Sequence, residues 1–176
     1  MISKKFFLIL GCQRSGTTLM RLILNSHKEI HCFDEYKAYD LLNNNTLLND
    51  FLKDSKKSLI GFKTPVYTEQ MNEKNLVDWL QLREIQNIFS TTKIIFIYRD
   101  PRDVCVSLKN HISTHPDGDY LVPVFKFWKT QMPEIYSEFK NDFNKIENQK
   151  NNLLQRAALF WKIKNHYYFN YKEKNK

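Results

Sequence analysis

Phe6–Leu10 is an unbroken apolar run closed by Gly11, the pattern of a parallel strand buried on both faces. Gly11–Thr18 is rich in turn formers. Leu19, Leu22 and Ile23 then recur at helical spacing, which predicts a helix from Thr17 to Ser26. A short strand is predicted near Ile30–Phe33, followed by helix over Tyr36–Lys53 that Asn43-Asn44-Asn45 interrupts. Ser58–Phe62 reads as another strand, closed by Lys63-Thr64-Pro65, and Leu76, Trp79, Leu80, Ile85 and Ile88 predict a helix over Asn75–Phe89. Lys93–Tyr98 is the strongest strand signal of the chain. After it Asp100-Pro101 opens a helix, since Asp suits the N-cap and Pro the first helical position. His115–Asp119 reads as a loop. Pro123–Lys140 and Asn152–Tyr171 pattern as helices, with the polar stretch Asn141–Asn151 between them read as a mobile connection.

Strands alternating with helices predict an α/β fold of the P-loop type, three layers α/β/α around a central, mostly parallel sheet. The 176 residues suit a single domain spanning 1–176, and an apolar fraction of 42% excludes a wholly disordered chain. In such sheets, sites form at the carboxyl ends of strands. Three chemically distinctive clusters follow strands here: Gly11–Thr18, Lys63–Pro65 and Arg99–Ser107.

The charge balance, 27 Lys+Arg against 19 Asp+Glu for a formal +8, favours anionic partners. The lysines are scattered along the sequence, so most are read as solvated surface. Basic and aromatic residues are not interleaved on one evident face, so no nucleic-acid partner is expected. Three cysteines, Cys12, Cys32 and Cys105, make no disulfide framework and have no zinc spacing, so no metal is expected. The Phe6–Leu10 run is shorter than the ~7–15 apolar residues of a secretory signal, and no stretch approaches the ~18 of a membrane span. A cytoplasmic location follows as the expectation. Trp128, Trp161 and His166-Tyr-Tyr-Phe169 offer aromatic surface, for which core packing is the favoured role.

Strand, Gly11-x-x-x-x-Gly16-Thr17-Thr18, helix is the layout of a phosphate cradle, with inward amides backed by a helix dipole. The nucleotide triphosphatase loop has lysine where this chain has Thr17, which argues against ATP or GTP hydrolysis. Arg14 instead puts a planar, fork-shaped cation in the loop, suited to a tetrahedral oxyanion. In the Tyr98–Ser107 cluster, a strand-end Arg99 and Ser107, two helical turns past the Asp100 cap, suggest a second anion site near the first.

Together the two clusters resemble the sulfotransferases that use 3′-phosphoadenosine 5′-phosphosulfate (PAPS). Gly11-Cys-Gln-Arg-Ser-Gly-Thr-Thr-Leu-Met-Arg21 resembles the 5′-phosphosulfate loop, and Arg99-Asp-Pro-Arg-Asp-Val-Cys-Val-Ser107 the 3′-phosphate motif. The resemblance implies that Arg14, Ser15, Gly16, Thr17 and Thr18 hold the 5′-phosphosulfate and that Arg99 and Ser107 hold the 3′-phosphate. Asn25-Ser-His27 and Cys32-Phe-Asp-Glu35, spaced as they are after the loop, are similar to the protein-tyrosine sulfotransferase branch. That similarity implies Glu35 as general base, with Phe33 standing where the family has glycine. Lys63 resembles a family lysine near the transferred group. Relatives continue with a further strand and a nucleotide-closing loop that Tyr171–Lys176 does not supply.

The implied reaction moves a sulfuryl group from PAPS to a hydroxyl or amine by in-line attack, leaving 3′-phosphoadenosine 5′-phosphate (PAP). It asks the protein for positioning, charge stabilisation by Arg14, and removal of one proton, with no metal. The acceptor stays open among sugars, peptidyl tyrosine and small hydroxylated metabolites, as does the choice between Glu35 and Asp34 as base. Arg21, His27 and His31 are further candidates near the site. Two other readings are a metal-dependent kinase-like phosphotransferase and a non-catalytic PAP/PAPS-binding remnant.

Overall fold

The computed structural model describes residues 4–63, 93–116, 118–147 and 152–174. They divide into two compact units, one ending at Ile97 and one beginning at Tyr98.

The first unit is built on four strands: β1 (Lys5–Gly11), β2 (Ile30–Phe33), β3 (Leu59–Lys63) and β4 (Lys93–Ile97). They form one sheet in the order β2-β3-β1-β4, and every pairing is parallel. β1 lies inside the sheet, and Leu8 and Ile9 are fully buried, each worth roughly 1.5–3 kcal/mol of burial. Three helices accompany the strands: α1 (Thr17–Asn25), α2 (Glu35–Asn43) and α3 (Asn45–Asp54). Met20 and Leu24 of α1 pack on the cluster of Phe7, Ile9 and Cys32. The asparagine run acts as predicted: Asn44 ends α2 and caps α3, its side chain accepting from the Leu47 N–H at 3.0 Å. The expected helix over Asn75–Phe89 lies outside the described residues.

Strand order fixes where chemistry can sit. From β1 the chain proceeds to β2, past β3, whereas from β3 it proceeds to β4, past β1. Such a reversal is a topological switch point, where α/β sheets open a crevice at their carboxyl edge. Gly11 ends β1 there. A Cβ on it would lie 2.6 Å from the Ile97 carbonyl oxygen and 3.1 Å from Thr17 Cγ2, so only glycine allows β1, β4 and the start of α1 to meet this closely.

The second unit is helical: α4 (Pro101–Thr114), α5 (Leu121–Gln131), α6 (Pro133–Glu138), α7 (Lys140–Glu147) and α8 (Leu153–Lys174). Asp100 caps α4 as expected, accepting from the Arg102 N–H, and Pro101 takes the first helical position. The core centres on Trp128, stacked on Phe160 at 5.7 Å and edge-on to Phe125 at 5.4 Å. Two expectations are corrected here. Pro123–Lys140 is not one helix: it breaks at Met132, because the residue before Pro133 is pushed out of helical geometry. The polar stretch from Asn141 is helical to Glu147, since Phe143 is buried against Phe125 and Tyr136. Two apolar anchors, Phe143 and Ile146, in a polar segment are too few to show as periodicity. The Arg156 guanidinium pairs with the Asp119 carboxylate, tying α8 to the loop before α5.

Candidate functional site

In the first unit the residues after β1, β2 and β3 share the carboxyl edge. The β1 loop turns through two left-handed residues, Arg14 with φ 67° and Gly16 with φ 100°. Alternating handedness of this kind turns successive amides toward one side, the geometry of an anion nest. Gly16 serves as N-cap of α1 and has no side-chain cap, so the first-turn amides lack the usual Ser or Asp acceptor. The Ser15 N–H donates to the Cys12 carbonyl at 3.1 Å. The Ser15 side chain is buried at 6% exposure, and its Oγ has no hydrogen-bond partner among the described residues. Buried polar atoms are nearly always paired. This one lies in a cradle of uncapped amides, the arrangement expected where an oxyanion docks. Thr17 is buried, while Arg14 and Thr18 are exposed.

Glu35 begins α2 directly after β2, and Lys63 ends β3. Their side chains meet: Lys63 Nζ donates to Glu35 Oε2 at 2.6 Å, with exposures of 4% and 15%. Asp34, the rival carboxylate, accepts from the Lys37 N–H at 3.0 Å and serves as the N-cap of α2. One of two adjacent carboxylates is thus structural, and the other is turned to a buried ammonium. Phe33 occupies its place by packing edge-on to Phe51 at 4.7 Å and stacked on Phe62 at 5.7 Å.

Asn25 shows how this corner is held. Its Nδ2 donates to the Cys32 carbonyl at 2.9 Å, and its Oδ1 accepts from the Cys32 N–H. The end of α1 is thereby clamped to β2 just before Phe33-Asp34-Glu35. In the sequence Asn25 stands out only through its spacing from the loop; the signal for its role is a polar amide closing an amphipathic helix beside a short strand. Arg21 is half-buried, and its Nε has no partner among the described residues. His31 packs on Phe33 at 4.4 Å and Phe51 at 5.6 Å. Burial, with Lys57 and Arg21 nearby, holds its imidazole below the usual histidine range. His27 Nδ1 accepts from the Glu29 N–H at 3.2 Å. The Cys32 thiol is pushed up to about 12 by burial, and burial also raises Cys105, which leaves both as packing groups rather than nucleophiles.

In the second unit Arg99 precedes α4, and its Nη2 lies 3.5 Å from Asp103 Oδ2. Asp103 and Ser107 are four residues apart on α4 and so share a face. Arg99 thus reaches the first turn of the face that carries Ser107 one turn further on. Beside Arg99, Tyr98 is 54% exposed and rests on Trp161 at 5.5 Å and Phe169 at 5.9 Å. Core packing holds for Trp128, which is 1% exposed, but not for Phe169, which is 44% exposed. Among the described residues no group of three or more His, Cys, Asp or Glu could hold a metal ion. No described helix is long and apolar enough to cross a membrane.

Comparison with known proteins matches these features to one family. The sulfotransferase domain matches residues 4–172. A curated protein of Caenorhabditis briggsae, described as "Putative protein-tyrosine sulfotransferase", is 25% identical, the match covering 81% of this chain and 53% of that one. The chain thus spans about half the length of this relative. With the sulfotransferase domain matched from the first strand into the last helix, over an α/β fold with a phosphate-cradle loop, the chain belongs to the sulfotransferase-domain family.

Proposed function

We propose that the protein transfers a sulfuryl group from PAPS to a hydroxyl acceptor, with Glu35 as general base. The observation that carries this reading is the buried 2.6 Å pair of Glu35 and Lys63 on the carboxyl edge of the sheet that also bears the Gly11–Thr18 loop. The register aligns Phe33 with Phe62 and Lys63 with Ile9. Two strand spacings, about 10 Å, therefore separate the corner bearing Glu35 from the strand that feeds the loop.

The residues of the first unit fit the 5′ end of such a donor. The uncapped first-turn amides of α1 and the unpartnered Ser15 Oγ offer donors to phosphate and sulfonate oxygens, and exposed Arg14 offers a fork-shaped cation. Thr17, where nucleotide triphosphatases carry lysine, leaves the loop without the residue that reaches β/γ-phosphates. Arg99 and Ser107 are assigned to the 3′-phosphate on family resemblance, Arg99 standing just before α4 and Ser107 within it. In the transfer, the acceptor oxygen bonds to sulfur as the bond from sulfur to the 5′-phosphate oxygen breaks, and the hydroxyl proton passes to Glu35. Lys63 orients that carboxylate and offsets its charge, while Arg14 and the loop amides receive the charge that builds on the leaving phosphate. The name of the Caenorhabditis briggsae relative supports peptidyl tyrosine as the first acceptor to try.

The test is transfer of labelled sulfate from PAPS to a panel of tyrosine peptides, phenols and sugars. Wild type is expected to label at least one acceptor, and Glu35→Gln none. Labelling by Glu35→Gln at the wild-type rate would remove Glu35 as base; no labelling of any acceptor by wild type would remove the transfer itself.

A further inference from the structure

The lysines that are scattered in the sequence are gathered by the sheet. All four strands run the same way, so their amino ends share one edge. Lys4 and Lys5 stand at the start of β1, Lys93 opens β4, Lys56 and Lys57 precede β3, and Lys28 precedes β2. Backbone bonds hold these starts together: the Lys5 N–H donates to the Ser58 carbonyl and the Leu59 N–H to the Glu29 carbonyl. Two of the lysines are pinned in place. Lys4 Nζ donates to the Ser55 and Lys57 carbonyls at 2.6 and 3.3 Å, and Lys57 Nζ donates to the Lys28 carbonyl at 2.7 Å. Lys5, Lys28, Lys56 and Lys93 are exposed. Glu29 and Asp54 are the acidic residues described beside them. With strands about 4.8 Å apart, the row spans roughly 15 Å.

An apolar stripe runs toward this edge. α1 starts after the carboxyl end of β1 and ends before the amino end of β2, so it descends from the site toward the lysines. Met20 and Leu24 face the core. Leu19, Leu22 and Ile23, on the other side of the helix, are 62%, 53% and 55% exposed. The stripe points toward Lys28, three residues past the helix end.

We propose that the lysine edge and the Leu19–Leu22–Ile23 stripe form one docking surface for an anionic lipid bilayer. Apolar side chains beside a basic rim bind membranes by partial insertion plus attraction to acidic headgroups. The charges are lysine ammoniums, point charges suited to a diffuse layer of headgroups rather than to bidentate recognition of a phosphodiester. Among the described residues of the first unit the exposed aromatic is Tyr36, which follows β2 at the opposite, carboxyl edge, so no described exposed aromatic gives the lysine edge the stacking platform that single-stranded nucleic acid uses. Docked in this way, the first unit would face its carboxyl edge away from the lipid.

The test is flotation of the full chain with vesicles of phosphatidylcholine, alone or with about 30 mol % phosphatidylserine. Binding is expected only with the anionic lipid, falling at least about tenfold between roughly 0.05 and 0.5 M salt. Replacing Lys5, Lys28, Lys56 and Lys93 by Glu should abolish it. Leu22→Ser with Ile23→Ser should weaken flotation about tenfold while leaving binding to a single-stranded RNA homopolymer unchanged. All six positions are exposed, and the salt series on wild type needs no variant. Absence of wild-type flotation at low salt, undiminished flotation of the lysine variant, or RNA binding tighter than vesicle binding with no effect of the Leu22/Ile23 change would each overturn the proposal.

Discussion

Lys63 Nζ sits 2.6 Å from Glu35 Oε2, with both side chains largely out of water. The pair joins the end of β3 to the residue after the Asp34 cap of α2, so it is both a structural tie and a placed carboxylate. Those roles separate by mutation. Lys63→Met leaves a carboxylate without its partner in a mostly buried site and should cost about 3 kcal/mol in urea unfolding. Glu35→Gln keeps the shape and a hydrogen-bond acceptor, so its expected cost is smaller, about 1–2 kcal/mol. Transfer should fall ~10²–10⁴-fold in Glu35→Gln with PAP affinity kept. An equal loss of PAP affinity would show Glu35 to be a binding residue rather than a base.

Ser15 gives a sharper contrast. Its Oγ is buried without a partner among the described residues, so removing it from the ligand-free protein deletes an unsatisfied group. Ser15→Ala should unfold within about 0.5 kcal/mol of wild type, or slightly above it, because the desolvation penalty disappears. PAP binding should nonetheless weaken about tenfold, the worth of one charge-assisted hydrogen bond. Calorimetric titration and a denaturant curve on the same preparation measure both. Destabilisation with unchanged affinity would place the hydroxyl in the fold and not in the site.

How much of the fold is legible in the sequence depends on how local each cause is. The runs at Phe6–Leu10 and Lys93–Tyr98 and the Asp100-Pro101 cap declared themselves because a doubly buried strand and a helix start are written in a few consecutive residues. The tight turn between β1 and α1 was legible for the same reason. Three features were not. The break at Met132 depends on Pro133 overriding an otherwise helical pattern. The helix over Lys140–Glu147 depends on Phe143 finding Phe125 and Tyr136. The division between Asp34 as cap and Glu35 as partner of Lys63 depends on which carboxylate the chain turns toward a strand 28 residues away.

Arg99 and Ser107 are assigned to a phosphate in the proposed function. The Arg99–Asp103 pair is exposed at 3.5 Å and contributes at most about 0.5 kcal/mol. Arg99→Ala and Ser107→Ala should lose the preference for PAP over AMP, which lacks the 3′-phosphate, while AMP binding is kept. If both nucleotides weaken together, the 3′-phosphate is held elsewhere.

His31 carries a pH signature. Burial, then Lys57 and Arg21, depress its imidazole below the usual histidine range. The folded state then binds fewer protons than the unfolded one, so the stability it contributes is full above about 6.5 and is lost as pH falls below it. His31→Phe suits the aromatic neighbours Phe33 and Phe51 and should flatten this acid slope. Denaturant midpoints between pH 7.5 and 5 compare the two chains; an unchanged slope would assign the acid sensitivity to other groups.

Above all else, the proposed function requires that the protein bind the bis-phosphorylated adenosine PAP. Its most direct test is the shift in melting temperature of the full chain with PAP against ATP, each with and without Mg²⁺. The account predicts stabilisation by PAP that saturates, is indifferent to Mg²⁺ and exceeds that by ATP. Stabilisation by Mg·ATP with none by PAP would contradict it.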